Sequence, residues 1–484
     1  MTATADAEAG FLKTDATELS RMIAAREVSC VEVMTACLAR IDRLNPTYNA
    51  VVSLRDRDDL LADARTADRE LAAGRYRGWM HGFPLAVKDL AATAGIRTTF
   101  GSPLFADNVP DADCLMVARM RAAGAIVMGK TNTPELGLGS HTYNPVHGIT
   151  RNAWNPALSA GGSSGGAAVS IALGMQPVAD GSDMMGSLRN PGAYANVLGL
   201  RPSFGRVPNG PKPETFVHQL ATDGPMARSV RDLAHLLDIQ AGHDPVAPLS
   251  LEAPASPFAA TLDGDATGQR IGWIGDWNGY YALEDGILDL CNAALAEMES
   301  MGAIVEPLVP DFAPERIWSS WVALRHWSVS GNYAAYHADP ATRDLLKPEL
   351  VWEIEHGLAL SAMQVHEASV TRSDWFQCSA RLFEDVDFIA MPTAQVFPFD
   401  AELDWPKQIR GRSMDTYHRW MEIVIPASMN GCPAINLPVG FDLAGRPMGI
   451  QVIGRPRGER ELLRFARCYE QATDWLSMAP DVVG

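Results

Sequence analysis

The sequence predicts an α/β fold in which helices cover both faces of a β-sheet. Helical patterns alternate with short apolar segments typical of buried strands. A helix, a closing glycine and a strand follow one another twice, at residues 117–128 and again at residues 287–305. With 484 residues, of which 47% are hydrophobic, the chain is also long enough to bury a substantial core.

The elements that carry this prediction can be placed in chain order. Two helical patterns within residues 16–45 predict a hairpin of helices that ends near Asn45–Pro46. The other predicted elements, in order, are a helix at 57–73, a strand at 83–87 that ends at Lys88, a helix at 117–123, a strand at 125–128, a small-residue helix at 167–175 and a helix from 287 to Gly302.

Charge and cysteine usage exclude several classes of function. Acidic residues number 58 and basic residues 40, which gives a net charge of −18. This charge would repel nucleic acid and anionic membranes, so neither is expected as a partner.

The seven scattered cysteines form no metal-binding spacing and are predicted to be reduced core residues. No signal-peptide pattern and no bilayer-length apolar run is found, so a cytoplasmic location is expected.

Two neighbouring strings, GGSSGG at 161–166 and SDMMGSLRNPG at 182–192, are the most unusual in the chain. A glycine-rich loop before a helix can bind anions, but no lysine follows it as in a phosphate-binding loop. Gly162–Gly166 matches G-x-S-x-G with Ser164 at the centre, although the buried strand that a nucleophile elbow requires is missing before it. A flexible loop without chemistry is the structural alternative.

These strings together resemble the signature segment of the amidase signature family. Five further blocks resemble that family in the same order: GFPLAVKD (82–89), GKTNTPE (129–135), LGLRPSFGRVP (198–208), FIAMPTA (388–394) and NLPVGFDLAGRPMGIQVIGRP (436–456). The resemblance covers essentially the whole chain. It implies one large α/β/α domain over residues 1–484 with a central, mixed and twisted sheet. Its implied parts are an N-terminal helical segment (1–75), a signature core (76–240), a connection (241–270), a variable substrate-pocket region (271–380) and a C-terminal part of the core (381–484).

The resemblance also implies a catalytic apparatus. It makes Ser187 the nucleophile, Ser163 a bridging serine after a cis peptide bond, and Lys88 the terminal base. Backbone N–H groups of the nucleophile loop would hold the oxyanion. The residues implied for this oxyanion hole are Met184, Met185 and Gly186, and those implied to support the loop are Asp183, Arg189 and Ser164.

The chemistry is consistent with these residue types. A serine hydroxyl needs a base to take its proton, and a lysine serves only where burial or a neighbouring cation keeps it neutral. The apolar stretch before Lys88 predicts such a dry setting. The resemblance implies that no metal or organic cofactor takes part.

The substrate is less well specified. Met185 departs from the small residue that the family places there, which predicts a reshaped acyl side of the pocket. Trp318, Trp321 and Trp327 lie in the variable region and are candidates for an apolar pocket, although a core role for these rings is equally expected. The expected substrate is a small apolar or aromatic amide or carbamate (urethane), cleaved with water.

Two further interpretations of the function stay open at this point. The first is an amidotransferase A-type subunit that works in a complex, although DMMGSLR and RPS replace the family strings DTGGSIR and KPT. The second is a non-catalytic binding protein on the same fold. A homodimer is the oligomeric state considered.

Overall fold

The computed structural model describes residues 14–483. Residues 1–13 of the predicted N-terminal segment, and Gly484, lie outside the described residues. The strands are β1 Val51–Val52, β2 Pro84–Lys88, β3 Ile126–Thr131, β4 Ala179–Asp183, β5 Leu198–Arg201, β6 Thr222–Ala227, β7 Arg270–Trp273, β8 Ile304–Pro307, β9 Phe388–Pro392, β10 Gln408–Ile409, β11 Arg412–Ser413, β12 Ala434–Phe441 and β13 Pro447–Gly454.

An eight-stranded sheet forms the centre of the molecule, in the order β4-β6-β5-β12-β13-β9-β7-β8. Its pairs are antiparallel from β4 to β9, whereas β7 is parallel to both β9 and β8. A second sheet has the order β1-β3-β2, with β2 and β3 parallel. The predicted mixed sheet within an α/β fold is therefore confirmed.

Helices flank this central sheet. They are α1 Ala16–Ala24, α2 Cys30–Tyr48, α3 Arg57–Ala72, α4 Leu115–Ala122, α5 Gly165–Ala172, α6 Arg189–Ala195, α7 Val230–Gln240, α8 Ile287–Ser300, α9 Pro314–Ala338, α10 Pro340–Arg343, α11 Pro348–Ala359, α12 Ala362–Asp385, α13 Ile425–Asn430 and α14 Glu459–Ala472. No helix within residues 14–483 is both long and apolar enough to cross a bilayer.

The predicted N-terminal hairpin corresponds to α1 and α2. Ser29 and Glu32 form a capping box at the start of α2, which satisfies free N–H groups of its first turn. The helix does not end at Asn45–Pro46 as predicted, because Pro46 lies in its last turn and Asn49 caps it in the left-handed conformation. A proline near the end of a helix removes only one bond of the last turn, so it did not mark the boundary.

Two large apolar clusters occupy the interior. The first joins α2, α5, α6 and α7 to the central sheet, and the seven cysteines are all free thiols. The second contains Met185 together with Trp318, Trp321 and Trp420. The turn that carries Met185 therefore lies against the tryptophan-rich part of the chain.

Candidate active site

Lys88 is the last residue of β2 and its side chain is directed into the protein. The preceding residues Phe83, Leu85, Ala86 and Val87 are fully buried, and Lys88 itself is 1% exposed. Its Nζ lies 2.8 Å from Ser163 Oγ, 2.8 Å from Ser164 Oγ and 3.0 Å from Ser182 Oγ. The structure therefore surrounds the amine with serine hydroxyls.

The surroundings of Lys88 favour its neutral form. Burial lowers the pKa of Lys88 to about 7, and the carboxylates of Asp180, Asp223 and Asp183 oppose this effect in part. At neutral pH a substantial fraction of the amine is therefore unprotonated and able to accept a proton.

The loop that carries Ser163 is held by hydrogen bonds on both sides of a cis peptide. The Gly162–Ser163 bond is cis. Ser140 Oγ donates to the Gly162 carbonyl at 2.6 Å, and Asn190 Nδ2 donates to Ser140 Oγ at 3.0 Å. Because Asn190 lies in α6, the serine loop and the helix that follows Ser187 are fixed to each other.

Ser187 lies in the turn between β4 and α6. Gly186 has a φ of 78°, a conformation that L side chains rarely adopt, and a Cβ there would lie 2.8 Å from Val424. Ser164 N donates to the Ser187 carbonyl at 3.2 Å, so the two serine loops are adjacent. Both serines are buried, with Ser187 7% exposed and Ser163 3% exposed. Within residues 14–483 no hydrogen bond joins their hydroxyl groups.

The backbone donors of this turn differ from the expected set. Gly186 N donates to Asp183 Oδ1 at 2.8 Å, so this N–H already has an acceptor within the turn. In the described part of the chain no acceptor is bonded to the N–H groups of Met184, Met185 and Ser187. Met185 does not adopt a positive φ. These three N–H groups are thus the ones free to hold an oxyanion.

Asp183 fixes the turn through two buried arginines. Its carboxylate accepts from Arg189 Nε at 3.0 Å and from Arg201 Nη1 at 3.2 Å, and all three side chains are fully buried. Burial alone would raise the pKa of Asp183, but Arg189 and Arg201 hold it well below its usual range. Arg189 Nη1 also donates to the carbonyl of Val424 at 2.9 Å. The turn is therefore fixed to the segment behind it.

Met184 and Met185 have different environments. Met185 is 4% exposed and belongs to the tryptophan cluster. Met184 is half-buried, and its sulfur accepts from Arg325 Nη1 at 3.1 Å. Arg325 is held in turn by Glu353 at 2.6 Å and by the Tyr417 hydroxyl at 2.6 Å. A buried ion pair therefore lies directly against the nucleophile turn.

Ser164, the centre of the alternative G-x-S-x-G motif, is not positioned as a nucleophile. Its side chain is fully buried, and its hydroxyl is bonded to Lys88 Nζ. It lies at the start of α5 with no strand before it. The structure thus gives Ser164 a role in holding Lys88.

A cavity of about 510 Å³ opens beside Lys88, and among the described residues its lining includes neither Ser163 nor Ser187. Lys88, Ser182 and Met184 contribute to its wall. Its apolar side is formed by Leu90, Phe100, Met184, Leu220 and Tyr333, and its polar side by Lys88, Asp180, Asp223, Lys212, Glu214 and His218.

The three tryptophans named as pocket candidates are not part of this wall. Trp318 and Trp321 stack with ring centroids 5.7 Å apart, and both are buried. Trp327 lies behind a cavity residue, because its ring meets that of His218 edge-on at 4.7 Å. Trp318 and Trp321 thus occupy core positions. Their spacing in the sequence did not distinguish a core role from a pocket-lining role.

Three charged residues of the site were not singled out from the sequence. Arg201 lies within the LGLRPSFGRVP block, and its position after a buried strand was the available signal. Asp180 and Asp223 lie on β4 (ADGSD) and β6 (TDGPMA), which are too polar to be recognised from the sequence as buried strands. In residues 14–483 no three His, Cys, Asp or Glu side chains converge as metal ligands.

Known proteins match this chain over most of its length. The family described as Amidase matches residues 32–463. An acylamidase of Rhodococcus erythropolis is 34% identical over 469 residues, which cover 96% of each chain. The A-type subunit of a glutamyl-tRNA(Gln) amidotransferase from Thermosynechococcus vestitus is 34% identical over 491 residues, covering 96% of this chain and 99% of that protein.

Solved structures give the same result. The structure of a bacterial aryl acylamidase of the amidase signature enzymes superposes with a TM-score of 0.89 at 27% identity, and 96% of each chain is covered. The match therefore extends over nearly the whole fold and includes the segments that hold Lys88, Ser163 and Ser187. The protein is an amide-hydrolysing enzyme that belongs to the amidase signature family.

Proposed function

We propose that the protein cleaves the C–N bond of a small apolar or aromatic amide or carbamate through an acyl-enzyme on Ser187. The observation that carries this proposal is the buried Lys88 amine, 2.8 Å from Ser163 Oγ and beside the turn that presents Ser187. Ser163 is the proposed relay and Lys88 the proposed base.

In the acylation step the Ser187 oxygen attacks the carbonyl carbon. As the C–O bond forms, Ser163 takes the Ser187 proton and passes its own proton to Lys88 Nζ. The two serine hydroxyls must approach each other for this transfer, and adjacent loops allow it because Ser164 N is already bonded to the Ser187 carbonyl. Return of the proton to the leaving nitrogen breaks the C–N bond, and water then hydrolyses the ester by the same route.

The oxyanion formed during attack needs fixed donors. The free N–H groups of Met184, Met185 and Ser187 point to these residues as the donors. Loss of one such donor typically costs about 3 to 4 kcal/mol of transition-state stabilisation. The buried Asp183 with its two arginines keeps the turn in place, so the donors need not reorganise during the reaction.

The cavity supports an apolar or aromatic substrate group. Leu90, Phe100 and Tyr333 line the cavity together with Met184, which belongs to the turn of the proposed donors. Similarity to an acylamidase and to an aryl acylamidase is consistent with this class of substrate. Carbamates present the same carbonyl to the same nucleophile, so a carbamate is the second expected class.

The test uses one purified preparation of the full chain and a panel of p-nitroanilides, short aliphatic amides and aryl carbamates. Ser187→Ala should abolish turnover, whereas Ser300→Ala, an exposed serine at the end of a helix, should leave it unchanged. A fluorophosphonate adduct should map to Ser187. Full activity of Ser187→Ala, or an adduct on Ser164, would contradict the proposed nucleophile.

An amidotransferase A-type subunit is the second candidate, because of the 34% identity to the corresponding subunit of a glutamyl-tRNA(Gln) amidotransferase. Such a subunit would work within a complex. The isolated chain would then turn over the amide panel poorly and gain glutamine-dependent activity when partner subunits are added. Turnover of anilides by the isolated chain at a constant specific activity across purification favours the amidohydrolase.

A further inference from the structure

Two carboxylates lie on one face of the central sheet and are directed at Lys88. Asp180 and Ser182 are two residues apart on β4, so their side chains share a face. Asp223 on β6 is paired directly with Ser182, and directly paired residues have their side chains on the same face. Ser182 Oγ lies 3.0 Å from Lys88 Nζ, which shows that this face meets the lysine.

Asp180 is also joined to Lys88 through the backbone. Both of its carboxylate oxygens accept from Lys88 N at 3.2 Å, and the side chain is fully buried. Asp223 is held by Asn209 Nδ2 at 2.5 Å and lines the cavity beside Lys88. Neither carboxylate has a part in the proton transfers described above.

We propose that Asp180 and Asp223 are positioning residues that set the pH at which Lys88 can accept the proton of the nucleophile. The proposal rests on the proposed function of Lys88 as the base. A fully desolvated amine without a counter-charge would be neutral but too weakly basic to take a proton at neutral pH. Two carboxylates beside it stabilise the ammonium that forms when Ser187 attacks, and so restore part of its basicity.

The other charged and titratable groups around Lys88 do not replace this pair. Asp183 faces the opposite side of β4 and is neutralised by two arginines. Lys130, on the neighbouring strand β3, directs its ammonium to Ala91 O at 2.6 Å and Thr93 Oγ1 at 2.7 Å. Further titratable groups line the cavity farther out, namely Cys114, Lys212, Glu214, His218 and Tyr333.

The effects of these outer groups are indirect. Burial raises the pKa of Asp223, and Lys212 and Lys88 oppose this effect in part, whereas Lys130 favours the ionised form of Asp180. Burial raises the pKa of the Cys114 thiol to about 12, so that it is uncharged near neutral pH. Burial likewise raises the pKa of Asp180 to about 6, which leaves this carboxylate mostly ionised at the pH where Lys88 titrates.

The variants Asp180→Asn and Asp223→Asn test the proposal. Each removes the charge and keeps an oxygen that can accept the hydrogen bond from Lys88 N or Asn209. Asp285→Asn is the control, since this carboxylate is 84% exposed and pairs with Arg410. The chain has six lysines, so the Lys88 side chain can be titrated directly by NMR of lysine labelled at Cε and assigned by comparison with Lys88→Met.

The expected result is a fall in the pKa of Lys88 by about one unit in each Asn variant and no change in the control. The acidic limb of kcat/KM should move to lower pH by the same amount, and the plateau above it should fall because the base is weaker. A loss of packing alone would lower the plateau without moving the limb. If Asp180→Asn does not fold, Asp223→Asn at a half-buried position provides the same measurement.

An unchanged Lys88 titration in both variants would overturn the proposal. A changed KM with an unchanged titration would also overturn it, and would make the carboxylates substrate contacts. A shifted titration with an unmoved activity profile would confirm the coupling to Lys88 but remove Lys88 as the base. The failure of the inference and the failure of the proposed function are therefore distinguishable.

Discussion

Replacement of Asp183 by Asn is expected to damage stability and activity together. The carboxylate is the one acidic partner that Arg189 and Arg201 share, and all three side chains are fully buried. In the wild type this group carries two positive charges and one negative charge. Asp183→Asn leaves two buried guanidinium groups close together without a counter-charge.

The expected loss in the free energy of unfolding follows from these charges. Removing one partner of a buried ion pair typically costs about 3 to 5 kcal/mol of the free energy of unfolding. Arg201→Met leaves the Asp183–Arg189 ion pair intact, with no net charge. It leaves buried acceptors without a donor, so the free energy of unfolding should fall by about 1 to 3 kcal/mol. Asp404→Asn breaks an exposed pair with Lys407, with both side chains more than half exposed, and should cost at most about 1 kcal/mol.

Urea unfolding followed by tryptophan fluorescence measures these three costs, and p-nitroanilide hydrolysis measures kcat/KM. The expected order of destabilisation is Asp183→Asn, then Arg201→Met, then Asp404→Asn. Because the pKa of Asp183 is lowered in the folded state, its contribution is present above the unfolded value of about 4 and is lost as the pH falls through the folded value. Equal costs for Asp183→Asn and Arg201→Met, or undiminished kcat/KM in Asp183→Asn, would refute the reasoning.

Three further predictions concern the base, the turn and the ion pair behind it. In the wild type kcat/KM should rise with pH through about 7, as Lys88 loses its proton, and a flat profile from pH 5 to 9 would contradict a lysine base. Met185→Gly should change the ratio of kcat/KM between anilides and short aliphatic amides by about tenfold, whereas an equal collapse for all substrates would show a direct effect on the chemistry. Glu353→Gln leaves Arg325 buried without its carboxylate partner. The free energy of unfolding measured in urea should fall by about 3 to 5 kcal/mol, whereas Asp404→Asn, which breaks an exposed pair, should not show this loss.

The fold was predictable where the pattern was strong and local. The helix predicted from residue 287 corresponds to Ile287–Ser300, and the strand predicted at 83–87 corresponds to Pro84–Lys88. Apolar spacing determines which face of such an element is buried, so it indicates the element directly. The order of strands in the sheet depends on contacts between distant segments, and the resemblance to the family supplied the mixed sheet that the pattern could not.

The sequence named candidate residues for the site but did not indicate their contacts. Lys88 and Ser163 are 75 positions apart, and only the resemblance indicated that they would meet. The hydrogen bond from Gly186 N to Asp183 could not be anticipated either, since it depends on the turn geometry rather than on residue type. Because of this bond, we propose Met184, Met185 and Ser187, whose N–H groups have no acceptor in the described part of the chain, as the oxyanion donors.

The tryptophans show why composition alone could not define the pocket. A large ring stabilises the folded protein whether it fills a core or lines a cavity, so its presence does not distinguish a core position from a pocket position. Trp321 is fully buried against Trp318, whereas Tyr333 of the same helix lines the cavity together with Phe100 and Leu220. The charged residues are more informative, because a buried carboxylate without a partner is costly. Asp180 is tolerated in β4 because the N–H of Lys88 and the nearby cations stabilise its charge, and the same proximity makes it a determinant of the basicity of Lys88.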